Sequence, residues 1–495
     1  MRRAGILMPI SSLPSRYGIG CFSKEAYEFI DGLAKAKQTY WQVLPLGPTS
    51  YGDSPYQSFS TFAGNPYFID LEELISQGLI TKEECDECDF GNDNVYIDYK
   101  KIYDSRFGIL WIAFENFDTN DSKYKKFKKD NKDWLDEYAL YMAIKDSYNG
   151  EPWVKWDEDI KNRNKKAIKE YSEELKDDIE FYKFIQFEFY SQWMKLKKYA
   201  NDKGVLIIGD IPIYVSFDSA DCWGDRQLFQ FNEENEPVAV AGCPPDAFSE
   251  DGQLWGNPLY DWGYHKKTEF EWWIRRVKQS FTLYDIVRID HFRGFDEYFS
   301  IPYGDETAAG GHWEKGPGIA LFNKIKEELG EVKIIAEDLG FLTDTVIQLV
   351  KDTGFPGMKL IQFAFDSREP SNYLPYTYDR NTVVYTGTHD NDTIKGWYEV
   401  LSYNDKKHAK NYLNNQGINK KNASTMFIKV ALASVSDTAI IPIQDYLNLG
   451  SEARINIPST IGENWRWRIL KSQMNDELWN EIKELTELYD RNPKN

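Results

Sequence analysis

Cysteine, long apolar runs and clustered positive charge are all scarce in this 495-residue chain. Five cysteines are too few, and too odd in number, for a disulfide framework, so we expect reduced thiols. No stretch approaches the roughly 18 to 20 apolar residues that a membrane span needs. The net charge of −20 argues against nucleic acid and anionic membrane surfaces, because both reward clustered Lys and Arg. These absences favour a globular protein with a neutral or cationic ligand.

Two of the cysteines, Cys85 and Cys88, form an isolated CxxC pair in the segment KEECDECDF. A zinc site would need a second pair of cysteines or histidines nearby, and the neighbouring carboxylates would raise the pKa of these thiols. We therefore interpret the pair as structural or neutral, and we predict no metal and no organic cofactor.

The first residues, MRRAGILMPI, superficially resemble a signal peptide because two arginines precede an apolar run. Pro9 interrupts that run, and SSLPSRYG follows it without a small-residue cleavage site. We therefore predict a cytoplasmic protein whose first strand starts at Ala4.

Aromatic residues are abundant, since they make up 16% of the chain and include 16 Trp and 32 Tyr. Their flat apolar faces and polar edges suit sugars, whose C–H faces stack on rings while their hydroxyls form hydrogen bonds. A Trp-rich core would account for many of these residues. We expect a minority of them to line a ligand surface.

Eight short apolar runs have the character of buried strands. They lie at 4–10, 41–46, 205–211, 285–290, 333–337, 357–364, 382–388 and 437–443. Amphipathic helical patterns separate several of these runs, for example at 23–36, 268–280, 318–330 and 342–353. Strands that alternate with helices in this way predict an α/β fold, a single (β/α)8 TIM barrel over residues 1–495.

Two insertions interrupt the predicted barrel. The first, 49–204, follows strand 2 and has helical patterns at 105–118, 133–148 and 165–202, which predicts a mainly helical subdomain on the barrel's C-terminal face. The second, 213–260, follows strand 3 and carries Gly, Pro, Asp and aromatics with little periodicity. Long irregular loops are usually functional lids or disordered, and the aromatics here favour an active-site lid.

Three short segments end in charged residues, as buried parallel strands do when their tips carry catalytic groups: VRIDHF (287–292), IIAEDLG (334–340) and TGTHDN (386–391). Cleaving a glycosidic bond with retention requires a carboxylate nucleophile and a second carboxyl group that donates and then accepts a proton. Asp290 ends the fourth strand and Glu337 the fifth, so the two should flank one site. Arg288 shares a strand face with Asp290 and would hold that aspartate ionised.

Glu337 and Asp338 compete for the proton-transfer role, because adjacent strand residues point to opposite faces and alternation does not choose between them. Asp390 supplies a third carboxylate that could stabilise positive charge at the anomeric carbon. His291 and His389 lie next to two of these carboxylates and could hydrogen-bond sugar hydroxyls.

Several longer segments carry a resemblance to a known family. They are ISSLPSRYGIG (10–20), SYGDSPYQSFSTFAGNPYFIDL (50–71), GCPPDAFSEDGQLWGNPLYDW (242–262) and NIPSTIGENWRWR (456–468). With these segments the chain resembles, nearly end to end, the 4-α-glucanotransferases called amylomaltases or disproportionating enzymes, which are relatives of the α-amylases. The block at 242–262 is the most specific and looks like that family's active-site lid.

The resemblance implies roles for individual residues. It makes Asp290 the nucleophile, Glu337 the general acid and base, and Asp390 the transition-state stabiliser. The substrate contacts that it implies are Asp210, Tyr56, Gln253, Trp255, His291, His389 and Asn456, with Tyr51 at a more remote glucan-binding position. To this predicted substrate-binding set we add Arg288, on the basis of its place beside Asp290 on one strand face. One departure is Ser459, where the family usually has glycine in N-x-P-G-T.

The implied activity is transfer of part of an α-1,4-glucan to the 4-hydroxyl of an acceptor glucan, with maltooligosaccharides and α-1,4-glucans as partners. The alternative enzyme is an α-glucan hydrolase with the same triad and a wetter acceptor site. A non-catalytic glycan-binding protein is a third possibility, but it would tolerate loss of a carboxylate, and all three are present.

Overall fold

The structure, a computed structural model, describes residues 2–50, 52–245, 251–340, 342–368, 371 and 373–492. Within these residues the strands, in chain order, are β1 (Arg3–Leu7), β2 (Tyr40–Gln42), β3 (Leu206–Pro212), β4 (Ala239–Cys243), β5 (Gln253–Pro258), β6 (Ile286–Asp290), β7 (Glu297–Pro302), β8 (His312–Lys315), β9 (Ile334–Ala336), β10 (Gly357–Leu360), β11 (Thr382–Tyr385) and β12 (Thr438–Pro442). Eight of them form one parallel sheet in the order β10-β11-β12-β1-β2-β3-β6-β9. Each of these eight overlaps a predicted apolar run, and the barrel prediction is confirmed.

The two outer strands of this sheet, β9 and β10, meet and bring its edges together. The backbone N–H of Ala336 donates to the carbonyl oxygen of Pro356 at 3.0 Å. The backbone N–H of Met358 donates to Oδ1 of Asp338 at 2.6 Å. The Asp338 side chain therefore takes the place of one backbone acceptor at this seam, the line where β9 meets β10.

The helices surround the barrel and fill the insertions. In chain order they are α1 (Lys24–Lys35), α2 (Leu71–Ser76), α3 (Lys82–Asp86), α4 (Tyr99–Glu115), α5 (Ser122–Asp130), α6 (Lys132–Ser147), α7 (Glu158–Lys161), α8 (Lys165–Glu174), α9 (Lys176–Asp202), α10 (Ala220–Gly224), α11 (Trp262–Lys267), α12 (Glu271–Leu283), α13 (Ile319–Leu329), α14 (Asp344–Thr353), α15 (Ile394–Val400), α16 (Tyr403–Tyr412), α17 (Ala423–Ala433), α18 (Ile443–Tyr446) and α19 (Asp476–Leu488). None of the described helices combines the length and the apolar character that crossing a membrane requires.

Helices α2 to α9 lie in the segment between β2 and β3. Their aromatic side chains largely pack on one another, as Trp134 and Tyr190 do with ring centroids 5.7 Å apart. The buried Lys145 of α6 joins this segment to the chain beyond β3, because its Nζ lies 2.6 Å from Oδ2 of Asp218. Much of the aromatic content is therefore core, as the composition allowed.

Residues 213–260 are more regular than the lack of periodicity suggested. Strands β4 and β5 pair with each other, and β4 also pairs with β7, in an antiparallel sheet of order β5-β4-β7-β8. Val240 on β4 packs with Phe299 and Ile301 of β7 in a small buried cluster. Both strands are short, and one partner of β4, the strand β7, lies beyond β6, so local periodicity gave no signal.

One buried carboxyl group lies far from the barrel mouth. Glu188 on α9 is 2% exposed, and its Oε2 has no hydrogen-bond partner among the described residues. Burial raises the pKa of Glu188 to about 7, although Gln192 and Gln77 lie beside it. The folded protein therefore holds a proton on Glu188 between about pH 4.5 and 7 that the unfolded chain has released, so stability falls as the pH rises through that range.

We predict that Glu188→Gln removes this pH dependence. Between pH 5 and pH 8, the free energy of unfolding of the wild type should fall relative to that of the variant by about 2 to 3 kcal/mol, since one pKa unit corresponds to about 1.4 kcal/mol. Urea denaturation at the two pH values measures the difference. Glu173→Gln, at an exposed position on α8, is the control for loss of one negative charge. Identical pH dependence in the two variants would contradict the prediction.

Candidate active site

The centre of the site is a guanidinium shared between two aspartates at the carboxyl ends of neighbouring strands. Nη1 of Arg288 donates to Oδ2 of Asp210 at 2.6 Å, and Nη2 donates to Oδ1 of Asp290 at 2.9 Å. The parallel register pairs Asp210 on β3 directly with Arg288 on β6. Arg288 and Asp210 are buried, whereas the Asp290 side chain is 28% exposed. Of the three, Asp290 is thus the group that can contact a ligand. The buried guanidinium of Arg288 lies against its carboxylate.

A tyrosine and a histidine cover this ion pair. The Tyr56 hydroxyl donates to Oδ2 of Asp210 at 2.9 Å, and the rings of Tyr56 and His389 stack with centroids 5.0 Å apart. Trp465 packs against both rings at 5.9 Å. Burial lowers the pKa of His389, so its imidazole is neutral at neutral pH. Residues from the β2–α2 connection, β3, the end of β11 and the C-terminal region are thus brought together.

Glu337 follows β9 directly and is held by backbone groups. Its Oε2 accepts the His291 N–H at 2.7 Å, and its Oε1 accepts the Leu339 N–H at 2.9 Å. Burial, and then the negative charge of Asp290, raise the pKa of Glu337 to about 7. A carboxyl group with that pKa can give a proton and take one back near neutral pH.

Asp338 has a different environment from its neighbour. Its Oδ1 accepts the Met358 N–H at the seam between β9 and β10. The alternation along the strand thus directs Glu337 toward Asp290 and Asp338 toward β10. The two adjacent carboxyl groups thus have separate surroundings, a difference that strand alternation alone did not predict.

The third carboxylate, Asp390, lies in the loop after β11 and its side chain is 42% exposed. Its Oδ1 accepts a hydrogen bond from Nδ2 of Asn456 at 2.7 Å. Nε2 of His389 lies 3.4 Å from the same oxygen. Nη2 of Arg454 donates to the Asp390 carbonyl oxygen at 2.7 Å. Asn456 therefore contacts a predicted catalytic group within the protein itself.

Part of the predicted lid reaches the same area. Trp255 on β5 meets the ring of His291 edge-on, with centroids 4.7 Å apart, and its Nε1 donates to Oε1 of Gln253 at 3.1 Å. His291 has a left-handed backbone with φ of 53°, and burial beside Arg293 lowers its pKa to about 3. The neutral His291 thus links two neighbours. Its ring contacts the Trp255 indole, and its backbone N–H donates to the Glu337 carboxylate. Tyr51 and residues 246–250, which also carried predictions, lie outside the described residues.

Two residues of this site, Arg454 and Trp465, were absent from the sequence-based set. Trp465 does belong to the segment NIPSTIGENWRWR, and Arg454 lies two residues before Asn456, so proximity to a quoted motif was the available signal. Among the described residues there is no group of three or more His, Cys, Asp and Glu side chains placed to hold a metal ion.

Ser459 stands where the resemblance predicts glycine, and the backbone conformation at this position shows why glycine suits it. It has φ of 63°, in the left-handed region that disfavours side chains with a Cβ. Serine therefore imposes a local strain on the turn that follows Asn456.

Comparison with known proteins supplies the remaining findings. The sequence model of the family described as 4-alpha-glucanotransferase (Glyco_hydro_77) matches residues 8–473. A 4-alpha-glucanotransferase of Clostridium butyricum is 53% identical over 98% of this chain and 100% of its own length. One from Thermus thermophilus is 43% identical over 99% of each chain.

Solved structures agree with these relatives. An amylomaltase from Streptococcus agalactiae, determined in complex with acarbose, superposes with a TM-score of 0.96 at 41% identity over 100% of both chains. An amylomaltase from Corynebacterium glutamicum, at 19% identity, has a TM-score of 0.78 over 99% of this chain and 74% of its own, and so shows a shared fold.

Proposed function

Because the chain belongs to the 4-alpha-glucanotransferase family, we propose that Asp290, Glu337 and Asp390 carry out its glucan transfer. The protein is a 4-alpha-glucanotransferase of the α-amylase clan that acts in starch, glycogen and maltooligosaccharide metabolism. The observation that carries the proposal for the triad is the contrast between two neighbouring carboxyl groups. Asp290 has a guanidinium at 2.9 Å, whereas burial raises the pKa of Glu337 to about 7.

The first half of the reaction cleaves the donor glucan. Asp290 attacks the anomeric carbon of an α-1,4-linked glucose unit while Glu337 protonates the departing oxygen. A β-glycosyl ester forms on Asp290, and the fragment on the reducing-end side of the broken bond leaves with the proton on its 4-oxygen. Asp390, with its partly exposed carboxylate, stabilises the positive charge that develops on the sugar ring. Arg288, whose Nη2 donates to Oδ1 of Asp290, orients that carboxylate for the attack.

The second half transfers the glucan. Glu337, now ionised, removes the proton from the 4-hydroxyl of an acceptor glucan, and that oxygen displaces Asp290 with overall retention of configuration. A pKa near 7 suits both directions of proton transfer, because neither protonation state of Glu337 is strongly disfavoured at neutral pH. Protonation and covalent capture supply the chemistry, so we propose no metal or organic cofactor.

Water competes with the acceptor for the glycosyl ester. Trp255 lies beside His291, close to Glu337, and presents an apolar face on which an acceptor sugar can stack. Such stacking excludes water and raises the effective concentration of the acceptor. We therefore propose that the lid, which includes residues 213–260, favours transfer over hydrolysis. We also propose maltooligosaccharides as natural substrates and the cytoplasm as the place of action.

We predict that the enzyme converts maltotriose into glucose and a ladder of longer maltooligosaccharides. Transfer conserves glycosidic bonds, so the number of reducing ends should stay almost constant while maltotriose disappears. Chromatographic sizing of products, with parallel assays of glucose and reducing ends, measures this. Reducing ends that rise in step with substrate loss would identify a hydrolase instead.

We predict that Glu337→Gln and Asp338→Asn have opposite consequences. Glu337→Gln should lower turnover of maltotriose by roughly 10²- to 10⁴-fold, the usual contribution of general acid catalysis. A maltosyl fluoride, whose leaving group needs no protonation, should still form the glycosyl ester. Asp338→Asn keeps an oxygen that can accept the Met358 N–H and should retain most activity. Inactivity of Asp338→Asn alongside normal turnover by Glu337→Gln would reverse the assignment.

We predict that Trp255→Ala raises the ratio of hydrolysis to transfer. Loss of one stacking contact costs about 1 to 3 kcal/mol by analogy with bases on aromatic rings, which corresponds to a change of about 5- to 150-fold in partitioning. Simultaneous assay of reducing ends and of transfer products from maltotriose measures the ratio. Leu254→Ala is the control, because Leu254 is adjacent on β5, points to the opposite face and is 43% exposed. An equal fall in both activities would remove the support for water exclusion by Trp255.

A further inference from the structure

Asp390 differs from the other two carboxylates in how the fold holds it. Asp290 is the last residue of β6 and Glu337 directly follows β9, so the barrel itself orients both. Asp390 lies in the loop beyond the end of β11. Its orientation therefore depends on contacts made by other parts of the chain.

These contacts come from a short C-terminal segment, Arg454 to Asn456, and form a closed ring of hydrogen bonds. The Asn456 N–H donates to the His389 carbonyl oxygen at 3.1 Å, and Nδ2 of Asn456 donates to Oδ1 of Asp390 at 2.7 Å. Nε of Arg454 donates to the Asn456 carbonyl oxygen at 2.7 Å, and its Nη2 donates to the Asp390 carbonyl oxygen at 2.7 Å. One guanidinium thus bonds both to Asp390 and to the asparagine that contacts its carboxylate.

We propose that Arg454 is a positioning residue for the third carboxylate. Arg454 holds the backbone of Asp390 in a fixed position relative to Asn456. The side-chain amide of Asn456, which donates to the Asp390 carboxylate, then keeps that carboxylate in a single orientation toward the sugar. The proposal rests on the role proposed above for Asp390. It adds a residue that acts through Asp390 and Asn456 and does not itself contact the glucan.

The chemistry of the side chain supports this role. A guanidinium offers several N–H donors in a rigid planar fork, so Arg454 can serve two carbonyl oxygens at once in fixed relative positions. A lysine ammonium is a point charge on a flexible stem and would not fix both. The two bonds are short, as is usual when the donor is charged.

The test compares Arg454→Ala, Arg454→Lys and Arg466→Ala in maltotriose disproportionation. Arg466 lies on the same C-terminal segment and also donates to a carbonyl oxygen, that of Ile97 at 2.9 Å, but it does not contact Asp390. Its variant controls for general loosening of the segment. The assays are kcat, KM, melting temperature and the effect of guanidinium chloride at non-denaturing concentration, measured against equal NaCl.

We predict that Arg454→Ala lowers kcat by about 10- to 100-fold, the range expected when a catalytic group is displaced by about 1 Å, while KM changes little. Guanidinium ion should restore part of kcat in Arg454→Ala and should not do so in Arg466→Ala or Asp390→Asn. Arg454→Lys should fold and melt close to the wild type but stay impaired in kcat, which keeps the test decisive if Arg454→Ala is poorly folded.

Either of two results would overturn the proposal: full kcat in Arg454→Lys, or a loss in Arg454→Ala that guanidinium does not reverse and that Arg466→Ala reproduces. Failure of the proposed role of Asp390 is seen separately, because Asp390→Asn would then retain activity. A wild-type protein that forms no maltooligosaccharide ladder would contradict the activity itself, whatever the behaviour of Arg454.

Discussion

The arrangement of the site depends on one buried cation, Arg288, held between two carboxylates. Its guanidinium lies within 2.6 Å of Asp210 and 2.9 Å of Asp290. A buried charge without a partner is very costly, so removing Arg288 would leave Asp210 uncompensated in the barrel. The register of β3 on β6 sets Asp210 beside Arg288 and thereby places the guanidinium that also contacts Asp290. The same cation donates to Asp290, and the negative charge of Asp290 helps to raise the pKa of Glu337.

The C-terminal region joins the helical insertion to this centre. The Ile97 N–H donates to the Arg466 carbonyl oxygen at 2.9 Å, and the Tyr99 hydroxyl donates to the Trp465 carbonyl oxygen at 2.8 Å. Trp465 in turn packs on Tyr56 and His389. Residues from the start of α4, from the last part of the chain and from the barrel mouth thus form one continuous set of contacts, with Arg454 and Asn456 at the end nearest Asp390.

Sequence reasoning located the barrel strands well, because each has a local signature, and the same signature marked the candidate carboxylates. A buried parallel strand is a run of apolar residues, and a charged residue at its tip is conspicuous. It did not locate β4 and β5, the first of which pairs with β7 beyond β6, and it did not identify Arg454, a single polar residue whose partners are backbone carbonyls. Pairings between distant segments leave no periodic trace in either segment.

The sequence by itself determined the eight-stranded barrel, the three strand-end segments with their carboxylates and, through long motifs, the resemblance to the glucanotransferases. Only the tertiary structure gave Glu337 and Asp338 their different partners, because those partners lie on other segments of the chain: the backbone N–H of His291 reaches Glu337, and the backbone N–H of Met358 reaches Asp338. It also decided the electrostatics of the site, since a pKa depends on burial and on charges that distant parts of the chain bring near.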